Sequence, residues 1–445
     1  MDRSPPIFGG STIGEKGCRL HSFTMKILNS RNKFHIPLDI PDVEIKNVRV
    51  NAVGDYIITV ESTRGNAICS HCGNQITKPN GYGREIELRH LPILGHHVYI
   101  RLRPKRYECP DCGGKTTTQN LDWYETKSPH TKAYDQHLML QLVNSTVTDV
   151  SRKEDIGYGA VVGTIRRCVH ISVNWGEFSE LKIIGLDEIA MRKGRGSYVA
   201  IITTQQTNGH VALLGVLKDR KKETVRQFLE TIPEHLRKTI EIVCTDMWKG
   251  YVNAVEEFAI AHELSIDIVI DRYHVAKNYR DSVDKVRKQE TCRLKKELSD
   301  TEYEEIKGLM WIVRRNKSDL DAGEQEKLNR LFRHSPKLKL AYDFREDITS
   351  IFEMQLTKDE AKKSLLEWQD RVQQSNLTSF NKFLTTLNNW LDKIANYFTD
   401  RLSSGFVEGL NNKVKTTKRR CYGILRITTL FQRLYLDLEG YRRFA

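Results

Sequence analysis

Two cysteine pairs constrain this chain more than any other feature of its sequence: Cys69-x-x-Cys72 and Cys109-x-x-Cys112, each followed directly by glycine. Two intervening residues let both sulfurs of such a knuckle reach one tetrahedral ion at ~2.3 Å. The 36 residues between the pairs suit a strand-rich excursion of the zinc-ribbon kind. The spacing therefore predicts one Zn2+ held by Cys69, Cys72, Cys109 and Cys112. A closed shell of four thiolates leaves no position for a substrate, so this ion holds a fold and performs no catalysis. Four free thiols or a redox pair is the alternative, but two knuckles seldom coincide by chance. Cys18, Cys168, Cys244, Cys292 and Cys421 stand alone, and burial is their default. Nine cysteines are too sparse for a disulfide scaffold, and a reducing cytosol is the simpler setting.

At 445 residues the chain has room for two to four domains. Lys and Arg number 70 against 57 Asp and Glu, a net charge of +13. A surplus of that size calls for a polyanionic partner, nucleic acid first and an anionic membrane surface second. No run reaches the roughly 18 to 20 apolar residues of a membrane span. The N-terminus lacks the apolar core of a secretory signal, so the chain is expected to stay inside the cell.

Residues 1–42 read as an N-terminal arm. Its first 24 residues, with Pro5-Pro6 and Gly9-Gly10 but no periodic pattern, read as disordered or as a start-site artefact ahead of Met25. Alternation from Val43 to Val60 and short strands such as His97 to Leu102 place a zinc-ribbon domain at 43–125. Residues 130–175 look helical. Five short apolar runs follow, Leu181–Ala190, Tyr198–Thr204, Val211–Leu217, Ile240–Cys244 and Ile266–Ile270, with helices near Glu223–Thr231 and Tyr251–Leu264. Three consecutive strands, then strands alternating with helices, predict a mixed sheet with helices packed on it over 180–275. From 276 to 398 strand signals vanish. Phe380, Leu384, Leu387, Leu391, Ile394 and Phe398 step by three and four along one helix face. The last part is 399–445, and from Arg401 onward it carries ten Lys or Arg against three acids.

Three constellations carry chemistry. Val147–Ile156 and Ala160–Val169 fit two helices about the turn Gly157-Tyr158-Gly159, a helix-turn-helix candidate in which Arg166 and Arg167 could meet phosphates. Many helical pairs look like this and bind nothing. Asp187 and Asp246 each interrupt or end an apolar strand, where an acid is costly unless it is paired or holds a cation. The alternative for each is an exposed strand-end acid or a helix N-cap. Ser403 to Lys415 reads as a helix presenting Glu408, Asn412 and Lys415 on one face and leading into Lys418-Arg419-Arg420. Carboxylate oxygens with waters suit Mg2+ (or Mn2+), and two such ions can promote phosphodiester cleavage.

Taken in order, the zinc ribbon, the helix pair, Gly185-Leu186-Asp187-Glu188, Thr245-Asp246-Met247-Trp248-x-x-Tyr251, Asp271-Arg272-Tyr273-His274-Val275 and Glu408-Gly409-Leu410-Asn411-Asn412-Lys413 resemble the DDE transposases of bacterial insertion sequences, specifically the ISL-three family. The likeness spans about residues 40 to 435. It implies a multidomain α+β and α/β protein: a zinc ribbon, a helix-turn-helix, and a ribonuclease-H-like core interrupted by an all-helical insertion. Asp187 would lie on the first core strand, Asp246 beyond the fourth, and Glu408 on a helix after the insertion, which would account for the 161 residues between the last two. The resemblance selects Asp187 over Glu188, since neighbours on a strand face opposite ways, and leaves Glu188 a supporting or surface place. It makes Asp271 and His274 a supporting pair.

The expected activity is binding of the element's terminal inverted repeats, metal-dependent cleavage there, and joining of the freed 3′-hydroxyl to target DNA. Asp187, Asp246 and Glu408 would hold the catalytic metal, and Lys413, Lys415, Lys418, Arg419 and Arg420 would neutralise phosphates. Double-stranded DNA is the expected partner, a dimer or higher oligomer on DNA the working form, and the bacterial cytoplasm at the nucleoid the location. A non-catalytic DNA-binding regulator and a structure-selective nuclease on the same fold are the alternatives.

Overall fold

The structure, a computed structural model, describes residues 37–191, 198–206, 209–401, 405–424 and 426–445. The side chains of Asp400, of residues 405–408 and of Asn411 fall outside this description, as do the first two dozen residues, Cys18 and Met25.

The N-terminal part is built from nine strands: β1 (Val43–Val50), β2 (Tyr56–Ser62), β3 (Ala67–Ile68), β4 (Gln75–Ile76), β5 (Lys78–Tyr82), β6 (Ile86–Ile93), β7 (His96–Leu102), β8 (Lys105–Cys109) and β9 (Lys115–Thr118). The sequence places one zinc-ribbon domain at 43–125, whereas the packing divides it. A four-stranded sheet of order β1-β2-β7-β6 buries Ile58, Val60, Leu88, Val98, Ile100 and Leu102. A separate small cluster of Ala67, Cys69, Ile76, Tyr107 and Cys109 sits under the pair β3-β4 and the ribbon β5-β8-β9. Five buried side chains, two of them cysteines, make too small a core to stand without a staple.

Three helices follow: α1 (Lys132–Leu142), α2 (Val147–Lys153) and α3 (Tyr158–Cys168). Thr131 and Thr146 cap the first two, each accepting from a backbone N–H in the first turn. The expected glycine turn is shifted. Asp155 supplies the left-handed conformation at φ 49°, while Gly157 serves as N-cap, so that α3 begins at Tyr158 and Gly159 lies inside it.

The second sheet comprises β10 (Ile183–Ala190), β11 (Tyr198–Gln205), β12 (Val211–Leu217), β13 (Ile242–Thr245) and β14 (Asp267–Ile270), in the order β12-β11-β10-β13-β14. β10 to β12 run antiparallel, and β10, β13 and β14 run parallel, so the sheet is mixed as the run pattern predicts. One face buries Ile184, Leu186, Ala200, Ile202 and Val243 against α4 (Lys222–Glu230), the short α5 (Glu234–Arg237) and α6 (Lys249–Ala261).

The helical block expected over 276–398 holds α7 (Arg272–Glu297), α8 (Asp300–Lys307), α9 (Ala322–His334), α10 (Pro336–Glu353), α11 (Lys358–Gln374), α12 (Asn381–Ala395) and α13 (Tyr397–Asp400), and α14 (Gly405–Arg420) and α15 (Ile427–Phe444) follow it. Helices α7 to α13 surround Trp368, Tyr279, Tyr342, Phe380 and Phe383, and this cluster continues onto Ile242, Cys244 and Ile270 of the sheet.

The other sheet face carries Ile189, Val199, Ile201 and Leu213. Against it lie Leu410 and Val414 of α14, Leu430, Phe431 and Leu434 of α15, and Tyr134, Leu138, Leu142, Val161 and Ile165 of α1 and α3. The helices at 130–175 therefore share a core with the sheet. Helices of 11, 7 and 11 residues cannot bury their apolar faces on one another alone. The contact between α1 and α15 is close: a Cβ added at Gly440 would meet Val143 Cγ2 at 2.4 Å, so only glycine lets the two approach this way.

Candidate active site and metal centre

The four paired cysteines converge as their spacing predicts. One ligand atom from each lies within 4.8 Å of all the others, with Cys69–Cys112 and Cys72–Cys109 sulfurs 3.9 and 3.7 Å apart. A tetrahedron with ~2.3 Å metal–sulfur bonds has edges of about 3.8 Å, so the donor set fits zinc. Both knuckles turn on glycines in the left-handed region, Gly73 at φ 75° and Gly113 at φ 65°. The backbone N–H groups of Cys72 and His71 lower the Cys69 pKa to about 6, favouring the thiolate a metal needs. The hydrogen bond with Cys72 and burial push Cys112 up to about 12. Four sulfurs this close cannot all ionise without a cation between them.

The carboxylates gather at one edge of the second sheet. Leu186 pairs in register with Thr245, and Thr245 with Ile270. The next residue on each of these parallel strands is an acid: Asp187, Asp246 and Asp271. Parallel strands in register present matching residues on the same face, ~4.8 Å apart. Asp187 and Asp271 are buried. Burial above all, opposed by His274 and aided by Glu188 and Asp187, raises the pKa of Asp246 to about 6. Asp187, Glu188 and His274 thus lie near enough to Asp246 to act on its charge. The alternation that puts Asp187 on the face of Ile189 also puts it on the face covered by Leu410 and Val414 of α14. Glu408 falls in α14, two residues before Leu410, and its side chain lies outside the described residues.

The supporting residues divide. Asp271 is the N-cap of α7, its Oδ1 accepting from Tyr273 N at 2.7 Å, and His274 Nε2 lies 4.0 Å from Asp271 Oδ2. Asn412 is exposed on α14. Glu188 does more than the sequence suggests: it pairs with Arg220 Nη1 at 2.6 Å. The Arg220 guanidinium sits 4.4 Å from the Tyr198 ring and 4.0 Å from the Trp248 ring. Trp248 closes the loop by donating Nε1–H to the Arg220 carbonyl at 3.2 Å and its backbone N–H to Asp246 Oδ1 at 3.1 Å. The segment after β12 is tied in this way to the loop that carries Asp246. Arg220 gave no sequence signal because nothing in its spacing relates it to either acid. Tyr251, on α6 beneath the site, is buried and its pKa is pushed far up by burial and then by Glu188, Asp246 and Asp187.

Among the expected phosphate-binding cations the structure distributes tasks unevenly. Arg166 is exposed, whereas Arg167 forms a bidentate pair with buried Asp135, Nε to Oδ2 at 3.0 Å and Nη2 to Oδ1 at 2.7 Å. Arg167 thus holds α3 to α1. Arg420 pairs with buried Asp437, and Lys418 donates to the Ala190 carbonyl at the end of β10. Lys415 and Arg419 are exposed, and Lys413 is half-buried.

Acids at the ends of parallel strands and, elsewhere in the chain, a four-cysteine centre are the two features that the comparisons address. Residues 184–434, more than half of the chain, match the transposase model of the DDE type in the ISL3 family. Residues 66–112 match the zinc finger of transposases IS204, IS1001, IS1096 and IS1165. The chain belongs to the ISL3 family of DDE transposases. It is 26% identical over 357 residues to the transposase for insertion sequence element IS1001 of Bordetella parapertussis, covering 80% of this chain and 85% of that one. It is 21% identical over 422 residues to the transposase for insertion sequence element IS1557 of Mycobacterium tuberculosis, covering 91% and 93%. None of the described helices is long and apolar enough to cross a membrane.

Proposed function

We propose that the chain binds the terminal inverted repeats of an insertion sequence, cleaves a phosphodiester there and joins the freed 3′-hydroxyl to target DNA. Asp187, Asp246 and Glu408 are the carboxylates of the reaction. The observation that carries this reading is the acid pair at the ends of adjacent parallel strands, with Asp246 raised to about 6. A fold does not gather repelling acids at a strand edge for stability, and such clusters mark functional sites. The sheet order supports a ribonuclease-H-like core, since β10 comes first and β13 fourth along the chain. The packing of α14 on the Asp187 face supports the place given to Glu408.

The donor set is hard oxygen, which suits Mg2+ or Mn2+, and the raised Asp246 pKa reflects a buried charge, with other acids near it, that a divalent cation would stabilise. When bound, such ions activate the attacking oxygen and stabilise the leaving one. The chain's own residues set the geometry. Asp187 is fixed by the register of β10, and Asp246 is oriented by the Trp248 N–H. Glu188 and Arg220 hold the neighbouring loop, and Asp271 with His274 supports the far side. Lys415, Arg419 and Arg166 stand exposed to neutralise phosphates, while the zinc ribbon and the α2–α3 pair, read as a helix-turn-helix, contact the ends. Assembly of at least two copies on paired ends, at the bacterial nucleoid, completes the reading.

The test is a magnesium-dependent nicking assay on DNA carrying the element's own termini, followed by strand transfer with a 3′-hydroxyl oligonucleotide. Asp246→Asn is expected to lower nicking by about 10³-fold or more while end binding stays within about twofold. Retained nicking in that variant overturns the site. Nicking without joining assigns the chain to the structure-selective nucleases instead.

A further inference from the structure

We propose that a second phosphate site lies away from the carboxylates, in the cleft between α3 and the N-terminus of α15, and that it holds one phosphodiester of duplex DNA. The proposal deepens the DNA-acting reading above and rests on it for the identity of the ligand. A cavity of 570 Å³ opens between the two helices, and a neighbouring one of 220 Å³ shares Arg426, Thr429 and Arg433 with it. Arg166 of α3 and His170 line the first cavity from one side, with Arg426, Thr428 and Thr429 on the other. Among the described residues, no acid lines either cavity.

Three features make this a built site. α15 is a helix of 18 residues whose N-cap, Arg426, offers no side-chain acceptor and whose first turn holds no acid. Its first N–H groups therefore face the cleft without intrahelical partners, at the positive end of the helix dipole. Beneath them lies Arg433, only 2% exposed, which donates through Nη2 to the carbonyls of Leu142 and Ser145. Its Nε and Nη1 are buried and meet no acceptor. Unpartnered donors on a buried cation are costly, and an anion seated above them answers both the charge and the missing acceptors. Finally, Gln432 Nε2 bonds the Val169 carbonyl at 3.3 Å, which holds the end of α3 to α15 and keeps Arg166 opposite Arg426. The tetrahedral, singly charged phosphodiester fits a cleft of arginines, hydroxyls and helix N–H groups. Grip at this point places one backbone contact on a helix whose other residues, Leu430 and Phe431, pack on the core of the acid-bearing sheet.

The experiment measures affinity of the full chain for a short duplex of arbitrary sequence, without magnesium, over a range of salt concentrations. Arg426 and Arg166 are exposed, so Arg426→Gln and Arg166→Gln keep the fold. Each is expected to weaken binding about five- to twentyfold at physiological salt, and to reduce the slope of log K against log salt by about 1. Replacing single phosphates with neutral methylphosphonates should find one position that weakens the wild type but not Arg426→Gln. Lys238→Gln, an exposed charge outside the cleft, serves as control and should leave the slope unchanged. An Arg426→Gln variant with wild-type slope and affinity overturns the site. Because no cleavage is needed, a wild type that fails to nick its own ends sinks the transposition reading alone. A wild type that nicks, with an Arg426→Gln of normal slope, sinks this inference alone.

Discussion

Asp135 and Asp246 are both acids drawn out of water, and the molecule treats them in opposite ways. Burial pushes Asp135 up, but His130, Arg167 and Thr164 hydrogen-bond its carboxylate and hold it below its ordinary value. Asp246 receives one backbone N–H and stands beside two further acids, so burial and repulsion lift it to about 6. Where an acid serves packing, as between α1 and α3, the chain surrounds it with donors. Where it belongs to the proposed reaction site, the donors are withheld. The cysteine cluster carries the second arrangement to its limit: four sulfurs, drawn together within 4.8 Å, that can all be thiolates only around a cation.

Three interventions separate these environments. The largest effect is expected at the cysteine centre. Structural zinc in small modules contributes on the order of 10 kcal/mol of folding free energy. Cys109→Ser should therefore lose the bound zinc, about one per chain in the wild type, and open residues 66–118 to proteolysis while the sheet of β10 to β14 stays resistant. Metal analysis showing no zinc in the intact wild type breaks the comparison at its strongest point. Next comes the partnered acid. Arg167→Gln strands a buried carboxylate and should cost about 3–5 kcal/mol, read as a fall in thermal midpoint, whereas Arg166→Gln should cost less than about 0.5 kcal/mol.

The smallest effect has the opposite sign. Asp246→Asn should raise stability at pH 7.5 by about 1–3 kcal/mol when no divalent cation is added, because it removes a charge that the fold disfavours. The pH dependence follows from a folded pKa of about 6 against an unfolded value of about 3.9. Below pH 4 both states bind the proton and no penalty exists. The penalty grows between pH 4 and 6 and is complete above about 6. The advantage of the variant should therefore shrink as pH falls from 7.5 to 4.5. An advantage that grows on acidification contradicts the repulsive environment assigned to Asp246.

Much of this was legible in the residues. The zinc ligands could be read because both knuckles are local: two residues and a glycine fix each one, and the short strands only have to bring two such units together. The five core strands announced themselves as apolar runs, and Asp187 and Asp246 as acids where such runs should not hold them. The helical block after residue 275 was visible in its three-and-four spacing. Other features had no local signature. Nothing near Arg220 tells that it pairs with Glu188 and stacks on Trp248, since these contacts join segments that meet only when β10, β12 and β13 share a sheet. Arg166 and Arg167 are adjacent and chemically identical, and only the position of Asp135 one helix away makes the second a structural residue. The helices at 130–175 looked like a unit of their own because sequence records their length but not what covers their faces.

What the sequence by itself determined is whatever short-range geometry controls: the metal-binding turns, the periodicity of each element, the surplus of positive charge, and the family to which the ordered motifs belong. What only the tertiary structure decided is which side chains share a space. It set Asp187 beside Asp246, laid α14 on their face of the sheet, and buried Arg433 with two donors unanswered under the cleft of α15. The reason is physical. Local signals come from backbone dihedrals and neighbours in the chain, whereas electrostatic coupling and unmet hydrogen bonds depend on distances through space that no spacing along the polymer encodes.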